Sequence, residues 1–377
     1  MKKLIFFLLS LIIILSLFLY LYLKKATPPV YLTISFVGDI IPHKAVKSVR
    51  SGRRTDRTKK YLKIFSYVSN YIKHSDIAVA NLESPVASQR LRHDHYRAFN
   101  TPKDFLTVLK IVGFDVLNIA NNHIFDCRFG GFQQTIKNLY DQSFRVTGLT
   151  YDRVPLPLIV TNKGIKVGFI GFTRLINWFG ATGVKTNLSL FEREESYEHI
   201  KKIKKGLDFL IVSMHWGKEY STNYTELRQV ARSLFSAGAD FIMGHHPHIL
   251  LPVEYENSAK GLKNVVAYSL GNFVANMGRD YESLKSWRVE GRPRRSVILT
   301  LRIKKQQNRL SLDSFEVVPV WIHNNYQEFY ISGKDKERMI CPVDLDDCPQ
   351  TILSKEQQDF EKREIYRSLK LIQKTNR

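Results

Sequence analysis

The chain has no internal repeat, no low-complexity segment and only three cysteines in 377 residues. The first two absences exclude solenoids and compositionally biased, disordered chains. The third excludes a disulfide-stapled scaffold and a four-thiolate zinc site. Acidic residues are also scarce, 35 against 57 Lys and Arg, which leaves a net charge of +22 and a pI near 9.8. Part of that excess serves solubility. The rest points to a polyanionic partner: a cell-surface polymer, anionic lipid headgroups or nucleic acid. Nucleic acid is the least favoured, because the aromatic residues are not interleaved with basic ones as a stacking platform requires. The basic residues cluster at Arg50, Arg53 and Arg54 with Arg57, Lys59 and Lys60, at Lys201-Lys202 with Lys204-Lys205, at Arg292, Arg294 and Arg295, and at Lys304-Lys305.

Long uncharged runs are missing with one exception, Leu4 to Leu23, flanked by Lys2-Lys3 and Lys24-Lys25. About 20 residues span a bilayer as a helix, and Tyr20 and Tyr22 fit an interfacial aromatic belt. No small-x-small cleavage site lies inside the run, so it reads as an uncleaved signal anchor in preference to a cleaved signal peptide. Flanking lysines on both sides leave the orientation open. A large body after such an anchor is expected outside the cytoplasm, on a single-pass protein of the cell membrane. Cys341 and Cys348 bracket a short acidic loop and are either bridged or free; Cys127 reads as a buried free thiol. The expected organisation is an anchor over 1–25, a linker over 26–31, a main domain over 32–325, and an extension over 326–377. That extension carries a basic helix over 354–374, packed on the body or lying near the membrane.

Against this background, five apolar, strand-like runs each end in a polar cluster. Residues 33–37 lead to Gly38-Asp39 and then His43. Residues 76–80 lead to Asn81-Leu82-Glu83. Residues 115–120 lead to Asn121-Asn122-His123 and Asp126. Residues 208–214 lead to His215-Trp216-Gly217, and 239–243 lead to Gly244-His245-His246-Pro247-His248. Each buried neutral imidazole needs partners for both ring nitrogens, so three in four positions fit poorly in an apolar core. In open α/β sheets ligands bind beyond the carboxyl ends of the strands, so five such ends imply one convergent polar site.

Helices are expected over 61–73, 103–112, 129–141, 192–205 and 224–237. A hairpin is expected around Asn162-Lys163-Gly164, and an antiparallel pair over 296–303 and 310–320. Alternating strands and helices followed by a strand-rich half predict a two-sheet α/β sandwich with mixed sheets. Asp39, Glu83, Asn122, His215, His246 and His248 form a mixed oxygen and nitrogen donor set suited to Mn²⁺, Fe²⁺ or Zn²⁺. Six donors suit two ions sharing a bridging carboxylate. His123 would be free to protonate a leaving group, with Asp126 orienting it. His93 and His95, in a basic loop, read as surface or substrate-side residues.

The motifs Gly-Asp, Asn-Leu-Glu, Asn-Asn-His, His-Trp-Gly-x-Glu-Tyr, Gly-His-His-Pro-His and Tyr-Ser-Leu-Gly-Asn-Phe, in this order, resemble the CapA family of bacterial poly-γ-glutamate capsule synthesis proteins, which is similar to calcineurin-like metallophosphoesterases. The resemblance spans about residues 32 to 320. It implies a four-layer α/β/β/α sandwich and a membrane-anchored role in making or exporting an anionic polyglutamate or related polymer, with other membrane subunits as partners. It places Asp39 as the first-strand acid and Glu83 where a bridging aspartate usually stands. Asn122-His123 match the Asn-His pair and His215 the isolated metal histidine. His246 and His248 match the Gly-His-x-His pair, with His245 an alternative in register. Asp39 is followed by Ile40 where phosphoesterases continue Asp-x-His, leaving His43 as ligand, substrate contact or neither. Substrate contacts are further expected from Asn81, Glu219, Asn272, Arg292, Arg294 and Arg295. The rival expectations are a metal-dependent hydrolase of a phosphoester or of the polymer amide, and a non-catalytic polyanion-binding subunit.

Overall fold

The computed structural model of the protein describes residues 2–25, 28–43, 46, 54–88, 98–177, 187–258, 261–279, 291–307, 309–334 and 337–374. Its strands are β1 Val30–Ile40, β2 Ile77–Leu82, β3 Val116–Asn118, β4 Arg145–Thr147, β5 Thr150–Tyr151, β6 Val154–Pro155, β7 Leu158–Asn162, β8 Ile165–Thr173 and β9 Phe209–His215. They continue as β10 Phe241–His245, β11 Val253–Ser258, β12 Gly261–Ala267, β13 Asn272–Val274, β14 Arg295–Gln306, β15 Arg309–Asn324, β16 Ile340–Asp344 and β17 Ile372–Lys374. The helices are α1 Lys2–Lys25, α2 Arg54–Ile64, α3 Ser69–Lys73, α4 Lys103–Val112, α5 Arg128–Asp141, α6 Arg193–Lys204, α7 Thr225–Ala237 and α8 Lys355–Leu369.

Strand faces alternate with period two, and each central strand feeds two different cores. In β2, Ala78, Ala80 and Leu82 pack with Phe105 and Leu109 of α4 and Phe132 of α5. Ile77 and Val79, with Ile34 and Phe36 of β1, face a second core shared with Val167, Phe169, Phe209, Ile211, Phe241 and Met243. The Phe36 and Phe241 rings lie 4.5 Å apart across that middle layer. Leu210, Val212 and Met214 of β9 turn the other way, onto Leu227, Val230 and Leu234 of α7. The layers therefore run helix, sheet, sheet, helix. Burial on both faces is why these strands read as unbroken apolar runs.

The two sheets expected from the sequence are continuous. Fifteen strands form one mixed sheet in the order β4-β3-β2-β1-β14-β15-β12-β10-β9-β8-β7, with β11, β13, β16 and β17 off that path. The physical reason is the length of the β14–β15 hairpin: β14 pairs with β1, while β15 reaches β12 at Leu312 and Leu262. Within each half the strands that lead to the site are parallel, β1 with β2 and β3, and β8 with β9 and β10.

Local signals account for most boundaries. α4 stops at Gly113, whose φ of 109° closes a left-handed cap. The β7–β8 turn puts both Lys163 (φ 49°) and Gly164 (φ 72°) in the left-handed region, as a two-residue hairpin with the strands' twist demands. The helix expected over 61–73 instead begins at Arg54 and is interrupted after Ile64, where Phe65 and Val68 turn into the core. The basic residues Arg57, Lys59 and Lys60 join this helix, since Lys and Arg are good helix formers. Past residue 325, β16 pairs with β15, β17 pairs with β11, and Ile365 and Leu369 of α8 join the middle core. Cys127, Cys341 and Cys348 are buried thiols, not disulfide-bonded among the described residues. Burial pushes the Cys341 thiol up to about 12 and the Cys348 thiol up to about 11. His93, His95, Arg50 and Arg53 lie outside the described residues.

The segment expected to span a membrane is helical, as α1. Its described side chains run from residue 5 to 21 and are all exposed. Among the described residues no helix is long and apolar enough to cross a membrane.

Candidate metal centre

Asp39 stands at the end of β1, where the register with β2 shifts between Phe36 and Asp39 and turns the carboxylate toward β10. Asn81 Nδ2 donates to its Oδ1 at 2.9 Å, His245 Nδ1 lies 2.7 Å from the same oxygen, and His248 Nδ1 lies 3.2 Å from Oδ2. Burial opposes the Asp39 charge, but His245 and His248 outweigh it and hold the carboxyl well below its usual range. An ionised carboxylate only accepts, so His245 and His248 carry their protons on Nδ1. Carboxylates hold metal-binding imidazoles in this way.

Glu83 follows β2. Its Oε2 accepts from Asn81 Nδ2 at 3.3 Å, and its Oε1 lies 3.7 Å from both His215 Nε2 and His248 Nε2. Burial and the neighbouring Asp39 charge raise the Glu83 carboxyl well above the usual range. His215 ends β9, with Nε2 at 2.9 Å from Asn122 Oδ1. Burial holds the His215 imidazole well below its ordinary value, and that of His246 down to about 3, with the neighbouring histidines adding to both. Both rings are thus neutral, the form that binds metal.

Donor atoms of Glu83, His246 and His248 lie within 4.8 Å of one another and are buried. Glu83 Oε1, His215 Nδ1, His245 Nε2 and His246 Nδ1 are buried without a hydrogen-bond partner. Leaving one such atom unsatisfied costs on the order of 1–3 kcal/mol. The gathered group of Glu83, His246 and His248 contains two of these residues and no thiolate, which fits a borderline or hard divalent ion. The backbone is shaped for the same end: His246 and His248 have φ of 94° and 56°, a region that strains any residue with a Cβ. His246→Gly is therefore expected to be more stable than His246→Ala by about 1 kcal/mol, although both lose the ring. Urea unfolding of the two variants checks this, and equal stabilities would remove the strain argument.

Beside this cluster, His123 Nδ1 lies 2.8 Å from Asp126 Oδ2, which also accepts from the Phe99 amide at 2.6 Å. The Phe99 ring stands between His123, at 4.3 Å, and His43, at 4.8 Å. His43 thus sits one ring away from the centre, with its Nδ1 receiving the Asn276 amide at 3.1 Å. Asn272 Oδ1 lies 3.1 Å from His248 Nδ1 and its Nδ2 donates to Pro293 O at 2.9 Å. Glu219 is exposed, near enough for its charge to act on Glu83.

Two expected substrate contacts are elsewhere. Arg294 is buried over the Trp321 ring and donates to Ile322 O and Asn324 O. Arg295 is 2 % exposed and pairs with Glu361 of α8 at 2.6 Å. Their charges are consumed inside the fold, so neither faces a substrate at the centre; Arg292 is partly exposed. Three supporting residues escaped the sequence reading. Asn118 Nδ2 holds Asn81 Oδ1 at 3.0 Å, and a lone amide inside an apolar strand was its signal. Asn177 donates its amide to Asn122 O at 2.9 Å. The Tyr220 ring lies 6.1 Å from His248. Asn177 stands in no pattern that marks it, whereas Tyr220 closes the His-Trp-Gly-x-Glu-Tyr motif, where it was given no role.

The model of the family described as bacterial capsule synthesis protein PGA_cap matches residues 33–277. PGA biosynthesis protein CapA of Bacillus subtilis (strain 168) is 32% identical over 326 residues, covering 83% of this chain and 79% of that protein. Capsule biosynthesis protein CapA of Bacillus anthracis is 27% identical over 343 residues, covering 88% and 77%. Among solved structures, calcineurin-like phosphoesterase YfkN from Bacillus subtilis aligns at 15% identity and a TM-score of 0.45, covering 89% of this chain and 100% of that one.

Proposed function

Because the chain belongs to the bacterial capsule synthesis protein family PGA_cap, we propose that it serves the synthesis or export of an anionic surface polymer of the poly-γ-glutamate type. It does so from a membrane-anchored position and through a divalent-metal site at its strand ends. The observation that carries the metal site is the buried group of donor atoms on Glu83, His246 and His248, within 4.8 Å of one another, with Glu83 Oε1 and His246 Nδ1 lacking a hydrogen-bond partner. Glu83, His246 and His248 would hold a first ion; Asp39, His215 and Asn122 complete a donor set large enough for two. A bound divalent ion supplies Lewis-acid charge to an oxygen under attack or departing. Asp126 holds His123 through Nδ1, which leaves Nε2 for a proton to a leaving group. The chemistry that this set favours is hydrolysis or transfer at a phosphoester or at the polymer amide. The anchor rests on α1, whose apolar side chains from Ile5 to Leu21 are exposed.

Elemental analysis tests the metal site. The wild-type chain is expected to carry one or two divalent ions, and His215→Ala with His246→Ala to carry none while keeping its circular dichroism spectrum. A folded, metal-free wild type after growth and purification with Mn²⁺, Fe²⁺ and Zn²⁺ supplied would sink the metal reading and favour a polyanion-binding subunit without turnover.

A further inference from the structure

Directly after the histidine run, the chain forms one wall of a separate cavity of about 540 Å³. Its apolar side is Ile249, Leu250, Leu251 and Pro252, all buried. Its opposite side is cationic: Arg292, Arg295, Arg367 and Lys370, with Glu364 as the acid among the lining residues. Two of these cations are already balanced. Arg295 pairs with Glu361 and lies 3.8 Å from Glu364, and Arg367 pairs with Glu364. Arg292 and Lys370 have no ion-pair partner among the described residues, and Lys370 caps α8 with a left-handed backbone, φ 48°. The cavity therefore offers two uncompensated cations across from an aliphatic floor.

The cavity is coupled to the metal centre by short covalent and hydrogen-bonded steps. Ile249 follows His248 in the chain. Arg292 precedes Pro293, whose carbonyl accepts from Asn272 Nδ2 at 2.9 Å, and Asn272 Oδ1 meets His248 Nδ1 at 3.1 Å. A ligand in the cavity lies against the same segment, 248–252, that supports the histidines. A small, compact anion would use the cations and leave the apolar floor bare. A chain with methylene groups between carboxylates uses both, since its aliphatic stretches cover Leu250 and Pro252 while its carboxylates meet Arg292 and Lys370.

We propose that this cavity is a carboxylate-binding subsite that holds a segment of an aliphatic polycarboxylate chain beside the metal centre, with Arg292 and Lys370 as its binding cations. The proposal rests on the polymer reading given above, and narrows it to a place and a pair of residues. Both residues project from the surface, so Arg292→Ala with Lys370→Ala is expected to fold and to retain its metal.

The test is titration calorimetry of the full chain in detergent with a γ-linked glutamate oligomer, at low and at high salt, beside the metal content of each sample. The wild type is expected to bind with an affinity that falls as salt screens the cations. The double variant is expected to lose about tenfold, the loss of two partly exposed ion pairs, and to show a flatter salt dependence. Equal binding by the two proteins overturns the subsite and leaves the polymer reading standing. Absence of oligomer binding in a metal-loaded wild type overturns subsite and polymer together, while the metal site survives. Binding of inorganic phosphate at the same residues, with none of the oligomer, overturns the carboxylate assignment.

Discussion

Glu361→Ala is expected to cost about 3–5 kcal/mol of stability, the usual penalty for removing one partner of a buried ion pair. Arg295 is 2 % exposed and its Nε lies 2.6 Å from Glu361 Oε2, with Glu361 itself fully buried. Truncating the acid leaves the buried guanidinium only the longer 3.8 Å contact with Glu364, and arginine cannot shed its charge there. Replacing the pair together, Arg295→Met with Glu361→Leu, should recover most of the loss, because an apolar pair of similar volume removes the desolvation penalty from both sides. Urea denaturation of the three variants reads this directly. If Glu361→Ala unfolded at the wild-type midpoint, α8 would be an ornament on the body; the double variant being as unstable as the single one would mean that packing volume, not charge, sets the cost.

A second large effect is expected from one methyl group. Gly244 lies in β10 just before the histidine run, and a Cβ there would stand 2.0 Å from Tyr268 O, 2.5 Å from Tyr268 C and 2.7 Å from Trp216 Nε1. Trp216 Nε1 donates to that same Tyr268 oxygen at 3.0 Å. Backbone cannot yield as the tip of a flexible side chain does, so Gly244→Ala must push β10 away from its neighbours. Overpacking of this kind costs about 1–3 kcal/mol or more. The displacement falls one residue before His245 and two before His246, so metal retention should drop along with the melting temperature. Differential scanning calorimetry and elemental analysis on the same sample check both halves. A variant with wild-type melting and wild-type metal content would show that the close approach at Gly244 is not required.

Much of the architecture was legible because burial leaves a periodic trace. Phe209 to Met214 read as a strand since both of its faces are apolar, and they are apolar because each faces a different core. The convergence of Asp39, Glu83, Asn122, His215, His246 and His248 was legible for a related reason: parallel strands end on one side of a sheet, so polar clusters after apolar runs collect there. The role of His245 was not, because Gly-His-His-Pro-His fits two registers and the choice depends on where Asp39 points. In the structure His245 grips Asp39, and His246 and His248 gather with Glu83. Arg294 and Arg295 were expected to contact substrate, and both are buried. Their partners, the carbonyls of β15 and a carboxylate 66 residues further along, leave no local pattern. The continuity of the sheet was hidden in the same way, since strand length shows in a sequence and the neighbour that a long strand reaches does not.

β1 has a mechanical consequence. It begins four residues after α1 ends and delivers Asp39 at its far end. Four residues reach at most about 15 Å, and nine steps of strand add about 30 Å. Whatever holds α1 therefore keeps the body on a short leash, with the donor cluster raised at the opposite end of a stiff rod. Asp39 thus lies within roughly 45 Å of the end of α1. Lengthening residues 26–29 would extend that reach without touching the donor cluster.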